Sequence, residues 1–291
     1  MENTDENIIF KEPRKTLMEI LKVNNREVPF ANVLSFFFKP KEKHNLETLF
    51  LDALLETKYT NIGLDKNNIK IDFVPDYDKK NVRVVVEQPT KNNNRIDLLI
   101  ETNTFVIAIE FKINHKLNNP LDDYEDYIEK NFTTKKKYYF ILTPTEKEAV
   151  DKAKAYFENK NEFKQIILRH FLNRVKEKIA EKDLSFEASY EYSYFVDFKQ
   201  TVENREIRSK RQIFLENLQN KLKKQNIKSE YHRNIKGGFL EIKNNNLQLK
   251  VRFTANGIQI EKWTEKDNEK IYGPNKKLEQ NELVEIIKTS R

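Results

Sequence analysis

The sequence holds no cysteine, which excludes disulfides, thiolate-bound metals and a cysteine nucleophile. It has four histidines, His44, His115, His170 and His232, too few to expect a multi-histidine zinc centre. Its five glycines form no glycine-rich phosphate loop, so a nucleotide-driven motor is excluded. No long hydrophobic run occurs; the most apolar short stretch, residues 33–38, is far below the length of a membrane span. The opening Met1-Glu2-Asn3-Thr4-Asp5-Glu6-Asn7 is acidic and polar, unlike a secretory signal. These absences predict a soluble, cytoplasmic protein with no membrane partner.

What is present is aromatic and charged. The chain has 291 residues, with 20 Phe and 12 Tyr, enough to bury a sizeable core. At roughly 150 residues per domain, one large domain or two smaller ones are expected. Charged residues make up 34%, and 53 basic against 46 acidic side chains leave a net +7. That excess is local: residues 205–291 carry 20 Lys/Arg and 11 Asp/Glu, a net of +9, while the rest is at −2. A basic C-terminal third fits a polyanion footprint. The competing reading is a compositionally biased chain whose lysines are merely solvated.

The periodicity divides the chain further. Residues 14–22 read as a short helix, 29–38 as an apolar segment stopped by Pro40, and 44–58 as a helix with a core-facing stripe. β-type runs follow at 69–74, 82–87, 95–101 and 105–113, the last two joined by Thr102-Asn103-Thr104 as a tight turn. Pro120 opens a helix to about residue 130. A strand at 137–143 ends at Pro144, and Thr145-x-x-Glu148 resembles a capping box for another helix. Residues 163–181 and 205–225 read as longer helices. Beyond Gly237-Gly238, strand-like runs at 239–243, 246–253 and 258–263, with an Asn256-Gly257 turn, suggest a small antiparallel sheet. The expected architecture is an α/β core, residues 1–200, with a small α+β module at 201–291.

The most informative stretch is Arg95-Ile96-Asp97-Leu98-Leu99-Ile100, the turn, then Val106-Ile107-Ala108-Ile109-Glu110-Phe111-Lys112. Side chains alternate across a strand, so Glu110 and Lys112 project from the same side. With the turn centred on Asn103, residue 97 faces residue 109, and Asp97 becomes a diagonal neighbour of Glu110. Charges in such apolar strands need a partner, and two carboxylates can share a hard cation such as Mg²⁺. An ammonium one pleat away suits phosphodiester hydrolysis. The bland alternative is an ion pair of Lys112 with one of the two acids.

These residues, in a strand–turn–strand setting, resemble the PD-(D/E)XK nuclease superfamily. "RIDLLI" with "VIAIEFKI" is similar to its signature hairpin. "NPLDDYEDYIEK" resembles the helix after the lysine, "KYYFILTPTEKEA" the next strand and loop, and "REVPFANVLSFFFKPKEKHNLETLFLDALL" the start of a prokaryotic nuclease-like branch. The resemblance covers roughly residues 26–150 and no family is matched by the tail. It implies a restriction-endonuclease-like mixed central sheet flanked by helices. It implies Asp97, Glu110 and Lys112 as catalytic residues, with Asp97 and Glu110 as metal ligands. Glu27 matches an additional acidic ligand on the first core helix, and Glu87 is a possible further group aimed at the same pocket. The implied activity is a Mg²⁺-dependent deoxyribonuclease, an endonuclease of restriction or antiviral defence, with Mn²⁺ able to substitute. The chain departs from the branch at Pro120, where a glutamine is usual four residues before Tyr124, and at Asn45, where a glycine usually follows the histidine. His44 itself reads as a structural cap.

In the tail, Arg205, Arg208, Lys210 and Arg211 give a basic helix expected to bind nucleic acid. Ile207, Phe214, Leu215, Leu218 and Leu222 on the same segment predict that its other face packs on protein. Tyr231, Phe239, Phe253 and Trp263 are expected mainly to pack, with base stacking as the alternative. The alternative to an enzyme is a catalytically silent nuclease-fold scaffold that binds nucleic acid or a partner protein. A homodimer or a regulatory protein partner is compatible with either.

Overall fold

The computed structural model describes residues 13–61, 71, 74–113, 119–144, 162–182, 190–232, 238–244, 247–254, 257–263, 268–272 and 280–289. They fall into two units, Lys15–Val202 and Glu203–Arg291, with Pro13 and Arg14 belonging to the second.

The first unit begins with a single turn, α1 (Leu17–Ile20), whose preceding Thr16 N–H donates to the Glu19 carboxylate at 3.0 Å. Helix α2 (Glu27–Phe38) starts with an acid, favourable at the positive end of the helix dipole, and holds Pro29 in its first turn where no amide is needed. It stops because Lys39 precedes Pro40 and is driven to an extended backbone (φ −87°, ψ 107°). Phe30, Ala31, Leu34, Phe37 and Phe38 form its fully buried stripe. Helix α3 (Leu49–Glu56) occupies the middle of the 44–58 segment. Between these two helices the Phe37 and Phe50 rings stack at 4.4 Å. Phe50 also meets Phe38, Phe171 and Phe195. Phe50→Ala is therefore expected to cost about 3–5 kcal/mol, read as a lower urea midpoint at unchanged slope.

Six strands form the first unit's sheet: β1 (Thr60–Asn61), β2 (Arg83–Pro89), β3 (Arg95–Glu101), β4 (Phe105–Phe111), β5 (Lys136–Thr143) and β6 (Phe163–Ile167). Their order is β1-β6-β5-β4-β3-β2. The β2–β3–β4 meander is antiparallel, β4–β5 and β5–β6 are parallel, and β1 closes the edge antiparallel to β6. Helix α4 (Leu121–Asn131) is the crossover between β4 and β5. Helix α5 (Leu168–Lys182) follows β6, and α6 (Tyr190–Lys224) contributes Phe195, Phe198 and Val202 to the first unit's core. Alternation in β4 divides the core: Phe105, Ile107, Ile109 and Phe111 face α2, α3 and α5, whereas Val106 and Ala108 join Leu121, Tyr124 and Ile128 of α4. This is the mixed, helix-flanked sheet that the sequence predicts.

Several local expectations change. Residues 163–167 are a strand rather than the first turns of a helix. Phe163, Ile166 and Ile167 are buried in parallel pairing with β5, and so short a segment takes the form its tertiary slot demands. The helix expected from residue 205 begins at Tyr190. The β3–β4 turn has two residues, Asn103-Thr104, because Thr102 and Phe105 pair: the Thr102 N–H donates to Phe105 O at 2.9 Å. The Thr102 hydroxyl accepts the Phe105 N–H, also at 2.9 Å. The ladder accordingly pairs Leu98 with Ile109, one residue away from the expected register. Extended by one residue, the same register faces position 97 with position 110 rather than 109. The strand expected at 69–74 and the helix after Thr145 lie largely or wholly outside the described residues.

The second unit carries an antiparallel sheet in the order β11-β10-β9-β8-β7. Its strands are β7 (Ser229–His232), β8 (Phe239–Asn244), β9 (Leu247–Thr254), β10 (Gly257–Trp263) and β11 (Asn268–Tyr272). Helix α7 (Gln280–Thr289) follows. Leu215, Leu218 and Leu222 of α6 and Leu283, Val284 and Ile287 of α7 share a core with Leu240, Ile242, Leu249, Val251, Ile258 and Ile260. The sequence pattern points to β8, β9 and β10; β7, β11 and α7 are findings of the structure.

Candidate active site

At the ends of β3 and β4 the sheet gathers its acids. Asp97 is 8% exposed and Glu110 fully buried. The Asp97 Oδ2 accepts the Phe111 N–H at 2.8 Å, an amide two residues past the last β3–β4 ladder pair, Leu98 with Ile109. Lys112, 2% exposed, reaches back along its own strand face to Glu110 Oε1 at 2.6 Å. Its ammonium also donates to Glu27 Oε1 at 3.2 Å and to Phe111 O at 2.8 Å. Three donors meet three acceptors, so the ammonium is held in a fixed place. Glu27 arrives as the first residue of α2, so four of the sequence-predicted residues converge. One carboxylate oxygen from each of Glu27, Asp97 and Glu110 lies within 4.8 Å of the others.

Three carboxylates and one ammonium leave this cluster short of positive charge. Burial pushes the Asp97 carboxyl up to about 6, opposed by the Phe111 N–H and the Lys112 charge. Burial, and then the neighbouring Asp97, raise Glu110 well above the usual carboxylate range. At Lys112 burial works against the charged form, but Glu110, Glu27 and Asp97 together outweigh it and the ammonium titrates above its ordinary value. Glu110 Oε2 is buried and accepts no hydrogen bond among the described residues. A buried carboxylate oxygen without a donor costs stability, and an oxygen-only donor set suits a hard divalent cation. The residues therefore fit such an ion, held by Asp97, Glu110 and Glu27.

The cluster opens into a cleft of about 890 Å³ lined by Arg26, Glu27, Glu87, Arg95, Asp97 and Tyr124, among others. Glu87, on β2, stands beside Asp97 of the neighbouring β3, since Val86 pairs with Leu98 and Gln88 with Ile96. Its backbone is left-handed (φ 55°), a conformation that costs a non-glycine residue about 1 kcal/mol or more and tends to persist at functional sites. Its carboxylate pairs with Arg95. Pro120 is the N-cap of α4 and brings no side-chain amide to the cleft wall; the neighbouring Asn119 amide donates to the Tyr124 hydroxyl at 3.3 Å. A larger cleft elsewhere in this unit, about 1110 Å³, is lined by Asp52, Glu56, His170 and Arg174 and contains none of these acids.

His44 is a cap. Its Nδ1 accepts the Leu46 N–H at 3.1 Å, so Nε2 carries the proton donated to Lys39 O at 3.0 Å. Burial lowers its pKa, keeping it neutral between the Phe36 and Phe37 rings.

Two of the four cations expected along the basic helix are buried. Arg205 is 8% exposed and Arg211 fully buried, with the Arg211 guanidinium 5.1 Å over the Phe253 ring. Lys210 pairs with Glu206 at 3.2 Å, and Arg208 is half-buried. With Arg205 and Arg211 buried, the four positions make no continuous exposed stripe, and the stem of Arg211 serves as packing. Phe253 is likewise in the core, and Phe239 lies against His232 and under Lys250. The Trp263 side chain lies outside the described residues. A second group of possible ligands, Glu230, His232 and Glu241, sits on β7 and β8. Both Glu241 oxygens are taken, by Gln248 and by His232, so this group reads as ordinary ion pairing.

A protein-family model described as the PD-(D/E)XK nuclease superfamily matches residues 17–195. No curated protein and no solved structure matches the chain. The matched segment spans the sheet, its flanking helices and the Glu27–Asp97–Glu110–Lys112 cluster, and the chain belongs to the PD-(D/E)XK nuclease superfamily.

Proposed function

We propose that the protein is a Mg²⁺-dependent nuclease that hydrolyses phosphodiester bonds in DNA, with Mn²⁺ able to replace Mg²⁺. The observation that carries this reading is the convergence of the Glu27, Asp97 and Glu110 carboxylates, with Glu110 Oε2 lacking a donor among the described residues and the Lys112 ammonium fixed against the other Glu110 oxygen. Asp97, Glu110 and Glu27 are the residues that would hold the ion. When bound, such an ion neutralises charge on the scissile phosphate and makes water a better nucleophile. Lys112 presents its positive charge to the charge that develops on the phosphorus oxygens. The Phe111 N–H orients Asp97, so the first ligand needs no rearrangement.

An endonuclease acting in restriction or antiviral defence, in the cytoplasm, is the setting we infer. The nuclease domain is residues 1–200, and the basic C-terminal module recruits the substrate through Arg208 and Lys210, the half-exposed members of the four cations. Two copies, each bringing one site, would meet both strands of a duplex.

Plasmid, linear and single-stranded DNA, and RNA, incubated with Mg²⁺, Mn²⁺ or EDTA, test the reading. Metal-dependent cutting of DNA by the wild type, lost in Asp97→Ala and Glu110→Gln, is the expected result. Cutting that survives EDTA would sink the metal-dependent reading, and no cutting of any nucleic acid by freshly folded protein would favour the silent scaffold.

A further inference from the structure

One wall of the cleft is built by the β2–β3 turn, and that turn is fastened from behind. Asp123, in the first turn of α4, accepts hydrogen bonds from Thr90 Oγ1 at 2.5 Å, Asn92 Nδ2 at 2.6 Å and Asn94 Nδ2 at 2.8 Å. Burial, which would raise its pKa, is outweighed by these donors, and the carboxylate stays charged. The turn closes on itself through the Thr90 N–H to Asn94 O at 2.9 Å, with Asn93 left-handed at φ 59°. Asn93, Asn94 and Arg95 line the cleft, whereas Asp123 is not among its walls. Lys91, Asn93 and Arg95 are exposed.

We propose that this turn, residues 91–95, is a nucleic-acid-contacting rim of the cleft and that Asp123 is the residue that positions it. The inference rests on the nuclease reading and deepens it. The acids at the cleft's base repel a phosphate, so a polyanion needs cations near the entrance to approach. Lys91 and Arg95 supply them at the two ends of the turn. Arg95, itself exposed, now pairs with the half-buried Glu87, and its guanidinium has open donors on the solvent side that a phosphate can take. The Asn93 amide can both donate and accept, which suits sugar–phosphate oxygens or a base edge. A turn hung only on two strand ends would move freely. Three bonds to the helix that carries Tyr124 instead hold it in register with the site.

The test is binding of labelled single-stranded and duplex oligonucleotides, DNA and RNA, to the full chain in EDTA across a salt series. Lys91→Ala and Arg95→Ala should each weaken binding about tenfold at low salt and reduce the slope of log affinity against log salt by about 1. Asp123→Ala should raise KM with kcat little changed, and Asp123→Asn, which keeps one acceptor oxygen, should recover part of the loss. Wild-type affinity and slope in the Lys91 and Arg95 variants, alongside wild-type cutting, would overturn the rim and leave the nuclease reading standing. A wild type that neither binds nor cuts any nucleic acid would overturn both.

Discussion

Lys112→Ala is expected to reduce metal-dependent phosphodiester cleavage by about 10²–10³-fold, the usual loss when a group that stabilises transition-state charge is removed. The same substitution takes the cation out of a buried pair with Glu110, whose side chain is fully buried. Breaking such a pair typically costs about 3–5 kcal/mol. Here the cost should sit at the low end, because burial already raises the Glu110 pKa and the carboxyl can take up a proton instead. Single-turnover cleavage and urea unfolding, measured on the same preparation, separate the two effects. Lys112→Arg is the informative companion: it restores a charge but not a compact ammonium that fits three acceptors at 2.6–3.2 Å. Recovered stability with little recovered activity is the expected pattern. Full activity in Lys112→Ala would remove this residue from the chemistry.

Asp97→Asn should make the metal-free protein more stable, not less, at neutral pH. Burial raises the Asp97 carboxyl to about 6 from an ordinary 3.8, so above that value the folded state carries a charge it disfavours. At about 1.4 kcal/mol per unit the penalty approaches about 3 kcal/mol. It is fully present above pH 6 and relieved as pH falls from the folded value through the unfolded one. Asparagine keeps an acceptor for the Phe111 N–H and drops the charge. In EDTA near pH 7.5, Asp97→Asn is expected to gain about 1–3 kcal/mol, a difference that closes below about pH 4. Adding Mg²⁺ should raise the Tm of the wild type and leave the variant where it was, since binding to the native state alone is stabilising. A destabilised Asp97→Asn in EDTA would show that the carboxylate is held by donors rather than kept for an ion.

Both results turn on residues that pattern alone places. Asp97, Glu110 and Lys112 are legible because charged side chains interrupt strongly apolar strands, and alternation then puts Glu110 and Lys112 on one face. Glu27 is legible only through its likeness to a family motif; nothing local in Arg26-Glu27-Val28-Pro29 says that it meets Lys112, 85 residues further on. The Asp123 clamp was hidden for the same reason, since its donors lie about thirty residues away. The run Thr90-Lys91-Asn92-Asn93-Asn94 signals a turn but not what holds it.

What the sequence determined by itself was the set of elements with strong local causes. These are the stop of α2 before Pro40, the near-continuous apolar runs of β3 and β4, and the acids and lysine embedded in or next to them. Tertiary structure decided what depends on neighbours. It made residues 163–167 a strand, because so short a segment, Phe-Lys-Gln-Ile-Ile, takes whichever backbone its slot between β5 and β1 can hydrogen-bond. It set the hairpin register, because pairing of Thr102 with Phe105 leaves a two-residue turn and shifts every partner by one. And it turned Arg211 from an apparent phosphate contact into a packed side chain, because a long cationic stem lies as well against an aromatic ring as in water, and only the fold supplies the ring.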